Sequence, residues 1–244
     1  MFKASRKLIF FIPVFFLTTN AFADSLFPSF LMSPCTRVVL QAGWFWAHQG
    51  TAQDIGIEGL IGDRFTVEHH YDNDVLLGLG YYINAINNDS FKIMYGINAF
   101  YLAPSFVKGH VIQEGIFENL SYQYKVINWP LYADVKAFIN VYPPYPYELT
   151  LDLGLGGNFI SAGHFREFSI DGGVTIPDDP FSSHLTGVFS ASAGIGVQVD
   201  GVFECGYRFF YLGQGQFNTK TNQVLNTLKT GQSYAHAVLC SISA

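Results

Sequence analysis

From Tyr147 to Leu155 the chain alternates two kinds of residue without a break: Tyr147, Leu149, Leu151, Leu153 and Leu155 against Glu148, Thr150, Asp152 and Gly154. A period of two puts each set on its own face of an extended strand. In a soluble sandwich the apolar face would be the core and the polar face would meet water. Here the polar faces are rich in glycine and the apolar faces in aromatics. The 244 residues include 24 Phe, 14 Tyr and 24 Gly, and only 13% are charged, against ~25% in ordinary soluble domains. Beyond residue 30 no run approaches the roughly 18 consecutive apolar residues of a spanning helix. The remaining way to satisfy every backbone group in lipid is a closed barrel, apolar outside and filled by small and polar groups inside.

The same alternation recurs in segments near the ~9 to 11 residues that a tilted spanning strand needs. They are expected at about 37–47, 73–85, 91–102, 119–139, 147–159, 184–199, 202–212 and 230–243. Outward faces carry Leu40, Trp44 and Trp46, then Leu77 and Leu79, Tyr95 and Ile97, Phe189 and Ile195, and Tyr207 and Phe209. Inward faces carry Gln41, Gly78, Gly80, Asn98, Ser190, Ser192, Gly194, Gln198 and Arg208. In the 119–139 segment the apolar residues sit on even positions (Leu120, Tyr122, Tyr124, Val126) and then on odd ones (Leu131, Ala133, Val135). That pattern predicts one long strand with a β-bulge at Asn128-Trp129-Pro130, where proline is tolerated. In the last segment Ala235, Ala237 and Leu239 compete with Tyr234, Val238 and Ile242, so its facing stays open. The count is eight.

The connections alternate in length. Those at 86–90, 140–146 and 200–201 are short, whereas 48–72, 103–118, 160–183 and 214–229 are long. In such barrels short turns face the periplasm and long loops the exterior. Lys3, Arg6 and Lys7, the apolar Leu8–Leu17 stretch and Ala21-Phe22-Ala23 read as a signal peptide over 1–23, followed by a short periplasmic segment, 24–36, and the barrel, 37–244. Removing the signal leaves ten basic against 19 acidic residues, a formal charge of −9. That excludes a nucleic-acid partner.

Leu-Ser-Tyr-Gln-Tyr-Lys-Val (120–126), Leu-Asp-Leu-Gly-Leu-Gly-Gly-Asn-Phe (151–159), Gly-Tyr-Arg-Phe-Phe-Tyr-Leu-Gly (206–213) and Thr-Asn-Gln-Val-Leu (221–225) resemble motifs of small outer-membrane β-barrels of the opacity-protein and OmpA-like type in Gram-negative bacteria. The resemblance spans most of residues 37–240. It implies an eight-stranded antiparallel up-and-down transmembrane barrel in the outer membrane. Its partners would be the barrel-assembly machinery, lipid and lipopolysaccharide. The family tends to end on an aromatic residue, where this chain ends Ile242-Ser243-Ala244.

On the facing above, Lys92, Lys125, Lys136 and Arg208 enter the barrel with Asp134, Glu148, Asp152 and Glu204. Charges confined in so narrow a space should pair, since an unpaired buried charge costs several kcal/mol. Cys35 precedes the first strand and Cys240 lies in the last, so a Cys35–Cys240 disulfide is expected across the closing seam, with Cys205 an inert outward residue. His69-His70 beside Asp72 and Asp74 lack a third ligand at fixed spacing and suit a solvated loop. No nucleotide, nucleophile-elbow or zinc-protease motif occurs, and no cofactor, metal or enzymatic role is expected. The functions left are structural or surface interaction, in which the loops contact a host or envelope partner, and, as an alternative, a small porin-like channel.

Overall fold

The computed structural model describes residues 35–88, 91–140 and 146–244. The expected signal peptide, nearly all of 24–36 and the centres of the turns at 86–90 and 140–146 lie outside the described residues. Twelve strands are present among those residues: β1 (Thr36–His48), β2 (Gln53–Ile55), β3 (Asp63–Phe65), β4 (Tyr71–Asn87), β5 (Phe91–Gln113), β6 (Phe117–Asn140), β7 (Tyr147–Ser169), β8 (Phe181–Ser182), β9 (His184–Val199), β10 (Phe203–Gly213), β11 (Asn218–Thr219) and β12 (Ser233–Ser243). Eight of them form an antiparallel ring in the order β1, β4, β5, β6, β7, β9, β10, β12, which closes where β12 pairs back onto β1 from Val39↔Ser243 to His48↔Tyr234. Closure leaves the ring no free edge where it crosses lipid, the condition for backbone to do so.

The wall is built as the alternation requires. Leu40, Trp44, Leu77, Leu79, Ile97, Leu131, Leu153, Leu155, Phe189 and Ile195 are exposed on the outside, while Gln41, Asn98, Asp134, Asp152, Ser192 and Arg208 are buried inside. β12 settles on Ala235, Ala237 and Leu239 inward and Val238 and Ile242 outward. An apolar exterior over a polar interior inverts a soluble fold and defines a membrane-spanning band. At the periplasmic end, Asp200 and Gly201 both take positive φ (52° and 69°), the two-residue hairpin their sequence demands.

Three features differ from expectation. β5, β6 and β7 run for 23, 24 and 23 residues, roughly 75 Å of strand at ~3.3 Å per residue, so much of 103–118 and 160–183 is sheet rather than loop. β6 keeps one phase throughout, with Leu120, Tyr122, Tyr124, Val126, Asn128, Tyr132, Asp134, Lys136 and Phe138 all buried. The expected bulge at 128–130 is absent. What changes at that height is polarity: below it the outward residues are apolar and the inward ones include Asp134 and Lys136, and above it the inward residues are Leu120, Tyr122, Tyr124 and Val126 while Lys125, Gln123 and Ser121 face out. The strand has left the bilayer without slipping. The real slips lie on its neighbours, at Ala103-Pro104 in β5, between Leu102↔Asn128 and Ser105↔Val126, and near His164 in β7, where φ is 53°.

Candidate functional site

The interior is layered from the periplasm outward. At the mouth sit Arg37, Lys92 and Glu148, all half-buried, with Arg37 donating to the Gly201 carbonyl at 2.9 Å. Next comes an ionic layer. Lys136 pairs with Glu204 at 2.5 Å, and Thr150 donates to the other Glu204 oxygen at 2.7 Å. Arg208 reaches Asp152 at 2.6 Å and Asp134 at 3.5 Å, and its guanidinium lies 5.0 Å from the Phe100 ring centre. Tyr82 and the Asn98 amide both donate to Asp134, and Gln41 donates to Asn98. Each charge therefore has a partner in a place where a lone ion is strongly disfavoured.

These contacts depend on missing side chains opposite. A Cβ on Gly194 would lie 2.6 Å from an Asp152 carboxylate oxygen, and one on Gly154 2.4 Å from Asp134. Above the ions, Phe45, Leu76, Phe100, Leu102, Tyr132, Phe210 and Leu212, none more than 4% exposed, fill the lumen. A belt of amides follows, in which Asn158 donates to Asn128 and to the Leu212 carbonyl, and Gln49 to Ser105.

The structure revises several expected site residues. Lys125 faces outward, because odd positions of β6 are the outer ones. Its place in the interior is taken by Arg37, which shares the face of Val39 and Gln41 and was legible from that parity. The Cys35–Cys240 bridge does not form. The seam register aligns Cys240 with Ala42 and ends at Val39↔Ser243, leaving Cys35 about seven residues lower. Cys240 instead bonds Cys205, its cross-strand partner on β10, while Cys35 is free and exposed. Cys205 is thus bonded rather than a lone apolar residue. His69, His70, Asp72 and Asp74 are not gathered round one point: His70 stacks on His48, Asp72 accepts from the Phe106 N–H and Asp74 from the Val75 N–H. Among the described residues no group of three or more His, Cys, Asp or Glu could hold a metal ion.

Beyond the band the sheet continues around a second core, most of which falls in segments expected to be loops, although Leu120, Tyr122 and Tyr124 belong to the strand expected at 119–139. Ile55, Phe65, Val107, Val111, Leu120, Tyr122, Tyr124, Phe165, Phe181, Phe217 and Leu228 pack together within it. β3 completes its wall by pairing with the upper end of β5, and burial pushes the Tyr122 and Tyr124 phenols up. At its top Glu167 is buried, accepts from the Asp178 N–H and donates its own N–H to Asp179. Burial, helped by the charges of Asp179 and Asp63, raises this carboxyl to about 7. Asp171 is held below the usual carboxylate range by hydrogen bonds from Ser169 and Thr175. The tips expose Leu60, Ile61, Ile116, Phe117, Val174, Ile176 and Leu225.

A closed eight-stranded ring, a lipid-facing apolar belt rimmed by Trp44, Trp46, Tyr101 and Trp129, short turns at one end and a large structured region at the other make this an outer-membrane β-barrel. Among solved structures the chain is similar to the outer membrane protein OprG from Pseudomonas aeruginosa (12% identity, 86% of this chain and 96% of that one, TM-score 0.49). It is also similar to Ail, the attachment invasion locus protein of Yersinia pestis (11%, 86% and 99%, 0.40), and to the outer membrane protease OmpT from Escherichia coli (9%, 87% and 97%, 0.39). No protein-family model matches the sequence, and no curated protein does.

Proposed function

We propose that this protein is a sealed display barrel: residues 1–23 direct export, the ionic and aromatic filling closes the lumen, and the extracellular sheet presents an apolar tip to a partner surface, without enzymatic chemistry. The observation that carries this reading is the second core. Flexible loops would suffice to connect strands, whereas here ring strands of 23 and 24 residues and the added β2–β3 hairpin build a rigid platform beyond the membrane. On that platform Ile61, Ile116, Val174 and Ile176 are each more than 70% exposed. Aliphatic side chains held outward on a rigid support suit contact with another surface.

The test is retention of bacteria displaying the protein on a cultured epithelial monolayer. Wild type should be retained, and the variant Ile61→Ser/Ile116→Ser/Ile176→Ser, expressed to the same surface level, should lose most of that retention. Equal retention would refute the tip as the contact. The filled lumen weighs against a channel, so the purified protein in a planar bilayer should show no steady unitary conductance; stable conductance steps would contradict the sealed interior.

A further inference from the structure

At the top of the second core the extracellular sheet and its loops enclose a cavity of about 120 Å³. One wall begins as a cross-strand row: Ile55 pairs in register with Asp63 and Asp63 with Gln113, so β2, β3 and β5 point these side chains the same way. Ile55, Phe65 and Leu120, none more than 2% exposed, form an apolar floor. Glu167 joins them from β7. Asp178 and Ile176, both exposed, stand at the rim, so the cavity opens to the exterior.

Hydrogen bonds fix these walls in place. The Asp178 N–H donates to the Glu167 carboxylate at 3.2 Å, and the Glu167 N–H to the Asp179 carboxylate at 2.7 Å. On the flank formed by residues 220–225, the Glu58 N–H donates to the Gln223 carbonyl and the Leu225 N–H to the Gly56 carbonyl, both at 2.8 Å, and Ile57 forms a β-bridge with Val224. The Lys220 N–H reaches the Pro180 carbonyl at 2.9 Å and ties the two flanks together. Walls held in this way are pre-organised, so filling the cavity costs little further ordering of the chain.

The lining selects the ligand. Asp63, Glu167 and Asp178 contribute carboxylates to it, whereas no Lys, Arg or His does. Arg64 and Arg166, the sequence neighbours of Asp63 and Glu167, are exposed, and among the described residues none of the three carboxylates has an ion-pair partner. Glu167 is only 8% exposed, and burial raises both it and Asp63. Carboxylates so placed gain from a cation inside the cavity and repel an anion. A calcium ion wants oxygen on all sides, which Ile55, Phe65 and Leu120 do not offer. A sugar would leave hydroxyls unmatched against the same floor. An ammonium group on a hydrocarbon stem suits both surfaces, its head against the carboxylates and its stem on the floor. A cavity of ~150 Å³ takes one benzene molecule, so this one suits a stem of about four carbons.

We propose that this cavity is a binding site for a protonated primary amine on a short aliphatic stem, with Asp63 and Glu167 taking the ammonium group and Ile55, Phe65 and Leu120 the stem. The site is read from the cavity and does not depend on the tip contact proposed above. A free alkylamine and a lysine side chain of a partner protein share this chemistry. The test follows the methyl signals of Ile55 and Ile57 by NMR as n-butylamine hydrochloride is added to the folded protein in neutral detergent at pH 8, where Glu167 is ionised. Folding of every variant is read from the gel band that shifts on heating.

Both signals should shift to saturation while that of Ile195, on the lipid face, stays in place. Asp63→Asn/Glu167→Gln, in which Gln keeps an oxygen for the Asp178 N–H, should need at least about tenfold more amine for the same shift, and so should n-butanol offered to the wild type. Calcium chloride should leave the signals unmoved. Binding of Nα-acetyl-lysine amide on a par with n-butylamine would support the site with a side chain as its occupant, and binding of n-butylamine alone would support it with a free amine. No saturable shift with n-butylamine would overturn the proposal. So would an unchanged titration of the double variant, equal binding of n-butanol, or the same shifts from calcium. Should the double variant not fold, Asp63→Asn alone decides, and a wild-type titration would overturn the site.

Discussion

At the scale of single residues, Arg208 is the side chain on which the interior most depends. It is fully buried and answers two carboxylates, Asp134 and Asp152, while Lys136 answers Glu204. Arg208→Met keeps most of the volume and leaves two buried carboxylates facing one another. It should destabilise the barrel by about 3–5 kcal/mol, seen as a lower urea midpoint for loss of the heat-shifted band. Adding Asp134→Asn and Asp152→Asn should recover much of that loss, since neutral amides do not need the cation. Gly194→Ala is a subtler test of the same layer: its methyl would lie against the Asp152 carboxylate, and overpacking of this kind costs about 1–3 kcal/mol. A stability equal to wild type would show that the layer is looser than the contacts imply.

At the scale of elements, what alternation reveals is which face is apolar, and inside the bilayer that answers the question of which face is outside. The strands of the band were legible for this reason, as were the inward Asp134, Lys136, Asp152, Glu204 and Arg208. Above the band the rule reverses, because water is now outside and the core within. On β6 the run Leu120, Tyr122, Tyr124, Val126 followed by Leu131, Ala133, Val135 mimics a slip that the backbone does not make, and such a slip would turn Lys125 inward. The true slips at Ala103-Pro104 and His164 sit in stretches that read as loop.

The β7 tip has a pH dependence of its own. Glu167 is raised to about 7 by burial, above the ordinary glutamate value of about 4.3. The folded tip thus binds a proton that the opened tip releases. Its stabilisation is present in full below pH ~4 and falls as pH rises through about 7. Hydrogen exchange of residues 170–180 should slow between pH 8 and pH 5, after correction for intrinsic rates, and Glu167→Gln should flatten that dependence. An unchanged profile in the variant would place the titration elsewhere.

At the scale of the whole molecule, closure joins distant parts of the chain, and register decides which residues meet. Cys35 and Cys240 are near one another in any sketch of the seam, yet the Val39↔Ser243 pairing separates them and brings Cys205 to Cys240 across 35 residues. Loop-closure entropy for that separation is worth about 3–4 kcal/mol. Reduction, or Cys205→Ser/Cys240→Ser, should therefore lower the urea midpoint while leaving a heat-modifiable barrel, and Cys35→Ser should leave the midpoint unchanged. The second core was invisible to sequence reasoning because it draws on β2, β3, β5, β6 and β7 together with Phe217 and Leu228, pieces that show no shared period.

The apolar outer face of the barrel lies against lipid. All three tryptophans, Trp44, Trp46 and Trp129, stand on that face near its outer rim, so intrinsic fluorescence reports on it without added labels. In vesicles of acyl-brominated phospholipid the emission should be strongly quenched, more by bromines near the head group than by bromines near the bilayer centre, while aqueous acrylamide should quench weakly. Strong quenching by acrylamide with none from brominated lipid would put these side chains in water and rule out a lipid-facing outer wall.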